Sequence, residues 1–129
     1  MKNKLEELRK NMLIEVSSWG GLSLTPGTSG LIVTQDKKVY YYHMYFRIPE
    51  NLKDKISLED ISEGKELQGS TYKKLIKYIE EKIINVEYEN KFIFDASFHI
   101  IVNYKNKKIT VNNYPEINNE INRIIRGGE

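Results

Sequence analysis

The spacing of apolar and polar positions changes period several times along the chain, and each change marks an element. Tyr72, Leu75, Ile76, Ile79 and Ile83 recur at the spacing of one helix face behind Ser70 or Thr71 as a candidate cap, which predicts a helix to about residue 84. Ile117, Ile121, Ile124 and Ile125 make a second stripe, opened by Pro115 at a first-turn position and closed by Gly127 and Gly128. Leu5, Leu8 and Met12 fit a short N-terminal helix, after which residues 12–16 read as a strand. Period-two alternation predicts two hairpins. Residues 31–35 and 39–48 turn at Asp36 and Lys37, and residues 91–104 and 108–112 turn at Lys105 and Asn106. Residues 17–30 hold four of the eight glycines and predict a loop, with Pro26 and Gly27 as the centre of a type II turn. Residues 49–69 lose apolar density and gain charge. They predict an ordered insertion or lid, in which Ser57, Leu58, Glu59 and Asp60 have the shape of a helix cap.

These elements predict an α+β fold: a single antiparallel sheet of about five strands with helices packed on one face, in one domain spanning residues 1–129. A chain of this length buries roughly two-thirds of its extended surface on folding. Disulfides are not needed for that, and with no cysteine none can form.

Composition narrows the function classes without choosing one. Twenty basic and 18 acidic side chains leave a net charge of +2, which removes the broad positive field of a nucleic-acid or anionic-membrane binder. Lysine, isoleucine, asparagine and tyrosine are heavily used and Ala96 is the single alanine, a bias that matches A/T-rich codons. Position therefore carries more information than abundance, and the lysines at 73, 74 and 77 and at 105, 107 and 108 read as solvated. The first ten residues are charged throughout and lack the apolar run of a secretory signal, so a cytoplasmic location is expected. No apolar stretch approaches the roughly 20 residues of a membrane span.

Alternation also sorts side chains by face. On residues 39–48 it sets Tyr40, Tyr42, Met44, Phe46 and Ile48 on a core-like side, with Tyr41, His43, Tyr45 and Arg47 opposite them. On the later long strand it sets Phe92, Phe94, Ala96, Phe98, Ile100 and Val102 inward, with Asp95, Ser97 and His99 outward. If both hairpins share one sheet, Tyr41, His43, Tyr45, Arg47, Asp95, Ser97 and His99 form one outer surface, whose Tyr, His and Arg are types that anchor partners or stack on ligands. The same face also suits a plain water-exposed sheet surface, where tyrosine is favoured by strand propensity. Trp19, Gly20 and Gly21 join the candidate binding set from the glycine-rich loop, whose backbone N–H groups could cradle an anion.

Enzyme chemistry finds little support. Asp95, Ser97 and His99 have the types of a hydrolase triad, but residues two apart on a strand project in parallel about 7 Å apart. Neither a Walker spacing nor Gly-x-Gly-x-x-Gly occurs, and no metal-ligand spacing is present. A metal or hydrolytic site would need His43 and His99 to converge. The expectation is a protein without catalysis, cofactor or bound metal.

The run Ile14-Glu-Val-Ser-Ser-Trp-Gly-Gly21, with Phe94-Asp-Ala-Ser-Phe-His-Ile-Ile-Val102 and Val111-Asn-Asn-Tyr-Pro115, resembles the plan of emfourin-type small protein inhibitors of thermolysin-like metalloproteases. The resemblance spans about residues 12–126 and lies in element order and a few positions. It implies a compact α+β domain that binds another protein without catalysis, and its motifs single out no inhibitory residue. The leading expectation is thus a small cytoplasmic binding protein, an inhibitor or immunity-type partner of another protein. The alternative is an anti-defence protein that sequesters a phosphorylated nucleotide signal, suited by the glycine loop, Arg47 and aromatic stacking partners. Exposed sheet edges also suggest a homodimer.

Overall fold

The computed structural model describes residues 4–20, 27–45, 59–89 and 96–127. In chain order these give α1 (Lys4–Lys10), β1 (Met12–Gly20), β2 (Gly27–Thr34), β3 (Lys38–Tyr45), β4 (Glu59–Ile61), β5 (Lys65–Glu66), α2 (Gly69–Tyr78), β6 (Ala96–Tyr104), β7 (Lys107–Asn112) and α3 (Pro115–Arg126). The strands form one antiparallel sheet in the order β4-β3-β2-β1-β6-β7, with β5 also paired to β3. The fold is α+β, as expected. The described sheet exceeds five strands because residues 59–66 add two short ones to the edge of β3.

Both predicted hairpins form over the described residues, residues 46–48 and 91–95 lying outside them, and their turns follow the local chemistry. Lys37 N–H donates to the Thr34 carbonyl at 3.0 Å and Lys37 has φ 67°, so a type I turn followed by a left-handed residue joins β2 to β3. Lys105 and Asn106, both at positive φ, make the two-residue turn from β6 to β7. Of the expected loop at residues 17–30, residues 17–20 and 27–30 are strand instead: Ser18 pairs with Ser29, Trp19 with Thr28 and Gly20 with Gly27, while residues 21–26, with Pro26 of the expected turn, lie outside the described residues. The ladder bonds backbone groups, so small polar side chains do not prevent it. The helix cap expected around Glu59 is likewise a strand, β4; Ser57 and Leu58 lie outside the described residues.

The two predicted isoleucine stripes pack on one face of the sheet. Leu75, Ile79 and Ile83 from the second helix and Ile117, Ile121 and Ile125 from α3 are buried against Val16, Leu31, Val33, Val39, Ile100 and Val102. Each such side chain contributes roughly 1.5–3 kcal/mol of transfer free energy. The helix begins earlier than Ser70: Tyr72 N–H donates to the Gln68 carbonyl, Gln68 is the cap, and Thr71 is buried inside the first turn. It continues past Tyr78 as a π-helical segment, Ile79–Ile84. Pro115 stands in the first turn of α3, where its missing N–H removes no helix bond.

The opposite face is covered in part by α1. A register shift between Met12 and Ile14 makes Leu13 an extra residue in β1, so Met12 faces α1 while Leu13 and Ile14 both enter the α2/α3 core. Leu5, Met12, Ile32 and Tyr42 form this second, smaller apolar cluster. At its centre lies a carboxylate. Glu15 is only 4% exposed, on the middle strand of the sheet. Arg9 Nε and Nη2 donate to its two oxygens at 2.8 and 2.9 Å, and the Tyr42 hydroxyl donates to Oε2 at 2.5 Å. Burial, and then the adjacent carboxylate, push the Tyr42 phenol well above its ordinary value, while the Glu15 hydrogen bond raises the Arg9 guanidinium. To reach Glu15 on β1, Tyr42 of β3 passes over Gly30 of β2. A Cβ at Gly30 would stand 2.8 Å from the Tyr42 hydroxyl and 2.4 Å from the Val16 carbonyl oxygen.

Three substitutions test these close approaches and the buried hydrogen bond. Gly30→Ala should destabilise the protein by about 1–3 kcal/mol in urea unfolding, because the nearest atom is backbone and cannot step aside. Gly64→Ala, whose obstacle is the Tyr40 ring, should cost less. Tyr42→Phe should cost about 1.5–3 kcal/mol at neutral pH, the worth of a hydrogen bond to a charged group. The folded-state phenol lies above its unfolded value of 10.0, so this stability is present below that pH and is lost as pH rises beyond it. Unfolding midpoints from pH 8 to about 11 should therefore fall less steeply for Tyr42→Phe than for the wild type.

Candidate functional site

The sheet register divides the surface expected from alternation. Tyr42, Gly30, Ser17 and His99 stand opposite one another across β3, β2, β1 and β6, so they share the α1 face. Trp19, Thr28 and Ser97 form the next row on that face. Tyr41 and His43 point the other way, toward α2 and α3, where Tyr41 packs on the core that holds Val39. The expectation that Tyr41 and His43 share an outer face with His99 is therefore corrected. Both sides of β3 bury side chains, Val39 on one and Tyr42 on the other, so polarity there could not say which side is outward. His43 and His99 lie on opposite faces and cannot converge on one metal ion or one scissile bond.

The individual candidates separate accordingly. Trp19 is 37% exposed on the α1 face. His99 Nδ1 stands 2.7 Å from Asn112 Oδ1, an ordinary cross-strand pair. Gly20 is a ladder residue paired with Gly27 and Ala96. Successive N–H groups in a strand point to opposite edges, so residues 17–20 and 27–30 do not form the anion cradle expected of a loop. Tyr45 ends β3 opposite Gly27. Gly21, Arg47 and Asp95 lie outside the described residues. Among the described residues there is no group of three or more His, Cys, Asp or Glu side chains placed to hold a metal, and no helix long and apolar enough to cross a membrane.

A cavity of about 270 Å³ opens between α3 and the sheet. Val16, Ser18, Ser29 and Phe98 line it from the strands, Tyr41 from β3, and Asn118, Asn119, Asn122 and Arg126 from the helix. The register explains the opening. Toward this end of the sheet the α3-facing positions become Ser18 and Ser29, which fill less space than the Val16 and Leu31 of the preceding rows. The Ser29 hydroxyl stands 2.5 Å from His43 Nδ1, which holds that hydroxyl beside the cavity.

Asn118 is the unusual member. It is 4% exposed, and its Nδ2 donates to the Ser17 backbone carbonyl at 3.0 Å. A carbonyl only accepts, so the amide cannot be reversed, and Oδ1 is left as a buried acceptor with no hydrogen-bond partner among the described residues. Such an atom costs about 1–3 kcal/mol of desolvation. At the other side of the cavity the Arg126 guanidinium lies 4.8 Å from the centre of the Tyr41 ring, within cation–π range. Of the sequence candidates, Tyr41 lines the cavity and His43 holds its Ser29; Ser18, Phe98, Asn118, Asn122 and Arg126 were not singled out. A signal existed in α3. Asn118, Asn122 and Arg126 recur every fourth residue beside the isoleucine stripe, and asparagine is a poor helix former.

No family model, curated protein or solved structure matches the chain.

If Asn118 Oδ1 lacks a partner in the free protein, Asn118→Leu should fold with an unfolding midpoint equal to or above that of the wild type. The variant loses one hydrogen bond but removes the unsatisfied acceptor. A loss beyond about 2 kcal/mol in urea unfolding would mean that the amide is fully satisfied and purely structural.

Proposed function

We propose that this is a non-catalytic binding protein whose α3 cavity receives a small polar ligand, with a phosphorylated nucleotide as the class it suits. The observation that carries this reading is the cavity itself, lined by Arg126, Tyr41 and Phe98 and by the buried Asn118, whose Oδ1 has no hydrogen-bond partner among the described residues. Proteins retain such costs where function uses them. An aromatic ring and an arginine at the same cavity supply the stacking surface and the positive charge that a phosphorylated base needs.

A second reading rests on a different observation. Trp19 is one of two large apolar side chains exposed among the described residues, on the face that α2 and α3 leave uncovered. Tryptophan at such a place is a common anchor of protein partners, in keeping with an inhibitor or immunity-type role. The cavity is preferred because its features converge on one spot, whereas Trp19 is a single side chain.

Thermal unfolding with a panel of mono-, cyclic and dinucleotides separates the two readings. A ligand present at 100 times its Kd should add about 2.7 kcal/mol of stability. No shift across the panel, together with a stoichiometric protein recovered from the native host by the wild type and lost with Trp19→Ala, would replace the cavity reading with the protein-partner one.

A further inference from the structure

We propose a second binding site, separate from the α3 cavity: the first turn of α2, where it faces the last turns of α3, holds a phosphate-class oxyanion. A cavity of about 580 Å³ opens there, with Ser70, Thr71 and Lys74 on one wall and Arg123 and Ile124 on the other. Its donors begin in the backbone. The first bond of the helix runs from Tyr72 N–H to the Gln68 carbonyl, so the N–H groups of Gly69, Ser70 and Thr71 have no helix carbonyl to meet. Gln68 gives them no side-chain cap, and the first turn carries no acidic residue against the helix dipole. A Cβ at Gly69 would meet nothing within 4 Å, so the approach to these donors is open.

A separate observation comes from Thr71. It is only 4% exposed, and it lines the cavity. A threonine inside a helix can turn its hydroxyl back onto a carbonyl of the preceding turn, but the Thr71 hydroxyl makes no such bond and has no other partner among the described residues. Nor is it sealed. Asn118 Oδ1 is shut off from solvent, whereas the Thr71 oxygen is not, and the little surface this residue keeps belongs to the cavity it lines. A nearly buried hydroxyl without a partner, next to uncapped helix N–H groups, is matched by a ligand that accepts.

Charge sets the class of acceptor. Lys74 follows Ser70 by one helical turn on the same side of α2, it makes no ion pair among the described residues, and no Asp or Glu among them lines the cavity. Arg123 is tied to Glu120 and acts as wall more than as free charge. The opposite wall is the carbonyl end of α3, so an anion seats against α2 and not in the middle of the cleft. The Ser70 and Thr71 N–H groups, the Thr71 hydroxyl and the Lys74 ammonium offer donors to several oxygens of a tetrahedral anion, where a flat carboxylate has only two. The cavity is larger than a bare phosphate and has Ile124 across from the donors, so inorganic phosphate and the phosphate of an organic monoester both fit.

Amide NMR of the nitrogen-15-labelled full chain, at fixed pH and ionic strength in a chloride background, tests the site with inorganic phosphate, phenyl phosphate and acetate. The Gly69, Ser70 and Thr71 resonances should shift saturably with both phosphates, with a Kd about tenfold or more below that for acetate. Tighter binding of phenyl phosphate identifies an organic monoester as the source, and equal binding identifies free phosphate. Thr71→Val, which removes the hydroxyl at nearly constant shape, should weaken phosphate about tenfold while the urea unfolding midpoint holds or rises, which a structural hydroxyl would not allow. Gln68→Asp sets a capping carboxylate on the same N–H groups, so it should raise the midpoint and weaken phosphate by a similar factor. Phosphate no tighter than acetate, shifts confined to the amides of Asn118, Asn122 and Arg126, or binding unchanged in either variant would overturn the α2 site. Each of these results leaves the reading of the α3 cavity standing, because the two sites share no donor.

Discussion

A buried carboxylate in the middle of the sheet organises this molecule. Glu15 lies on β1, the strand that pairs with both β2 and β6, where an ionised group without partners would be costly. Arg9 supplies a two-pronged donor from α1 and Tyr42 supplies a hydroxyl from β3, so one side chain ties the N-terminal helix to strands that are not neighbours in sequence. That requirement reaches further. Tyr42 can cross to Glu15 only if Gly30 has no side chain, and α1 can present Arg9 only if Leu5 finds apolar cover between Met12 and Ile32. The small second core beneath α1 is thus the setting of the ion pair as much as a source of hydrophobic stabilisation.

The same strand serves the opposite face. Two residues beyond Glu15, the Ser17 carbonyl holds the Asn118 amide of α3, and Val16 and Ser18 line the cavity beside it. The two polar devices differ in completeness. Glu15 has a donor for each oxygen, whereas Asn118 keeps an acceptor unsatisfied among the described residues. A fully satisfied buried group fixes structure, and an unsatisfied one calls for another explanation. That contrast separates a structural network from a candidate site within one strand.

Much of the architecture was legible because it rests on local pattern. The stripes Leu75-Ile79-Ile83 and Ile117-Ile121-Ile125 can bury only as helices, and both hairpins have turn residues able to take positive φ. Pro115 marked a helix start for a reason internal to its own ring. The candidate site was less legible. Residue type singles out Tyr41 and His43 but alternation alone sets them on the wrong face, while Asn118 and Arg126 do not stand out in a chain rich in asparagine and lysine.

The division has a physical cause. Helix periodicity, turn conformation and the absence of disulfides depend on near neighbours and on composition, and these are written directly in the chain. Which face of β3 meets α3 depends on what covers each side, and the chain folds α1 over one side and α2 and α3 over the other. Residues 17–20 and 27–30 became strand because a backbone ladder between them was available, whatever their side chains suggested. Asn118 acquired meaning only when folding brought it to the Ser17 carbonyl, 101 residues away in sequence. Local pattern set the elements; long-range pairing set the faces, the buried ion pair and the cavity.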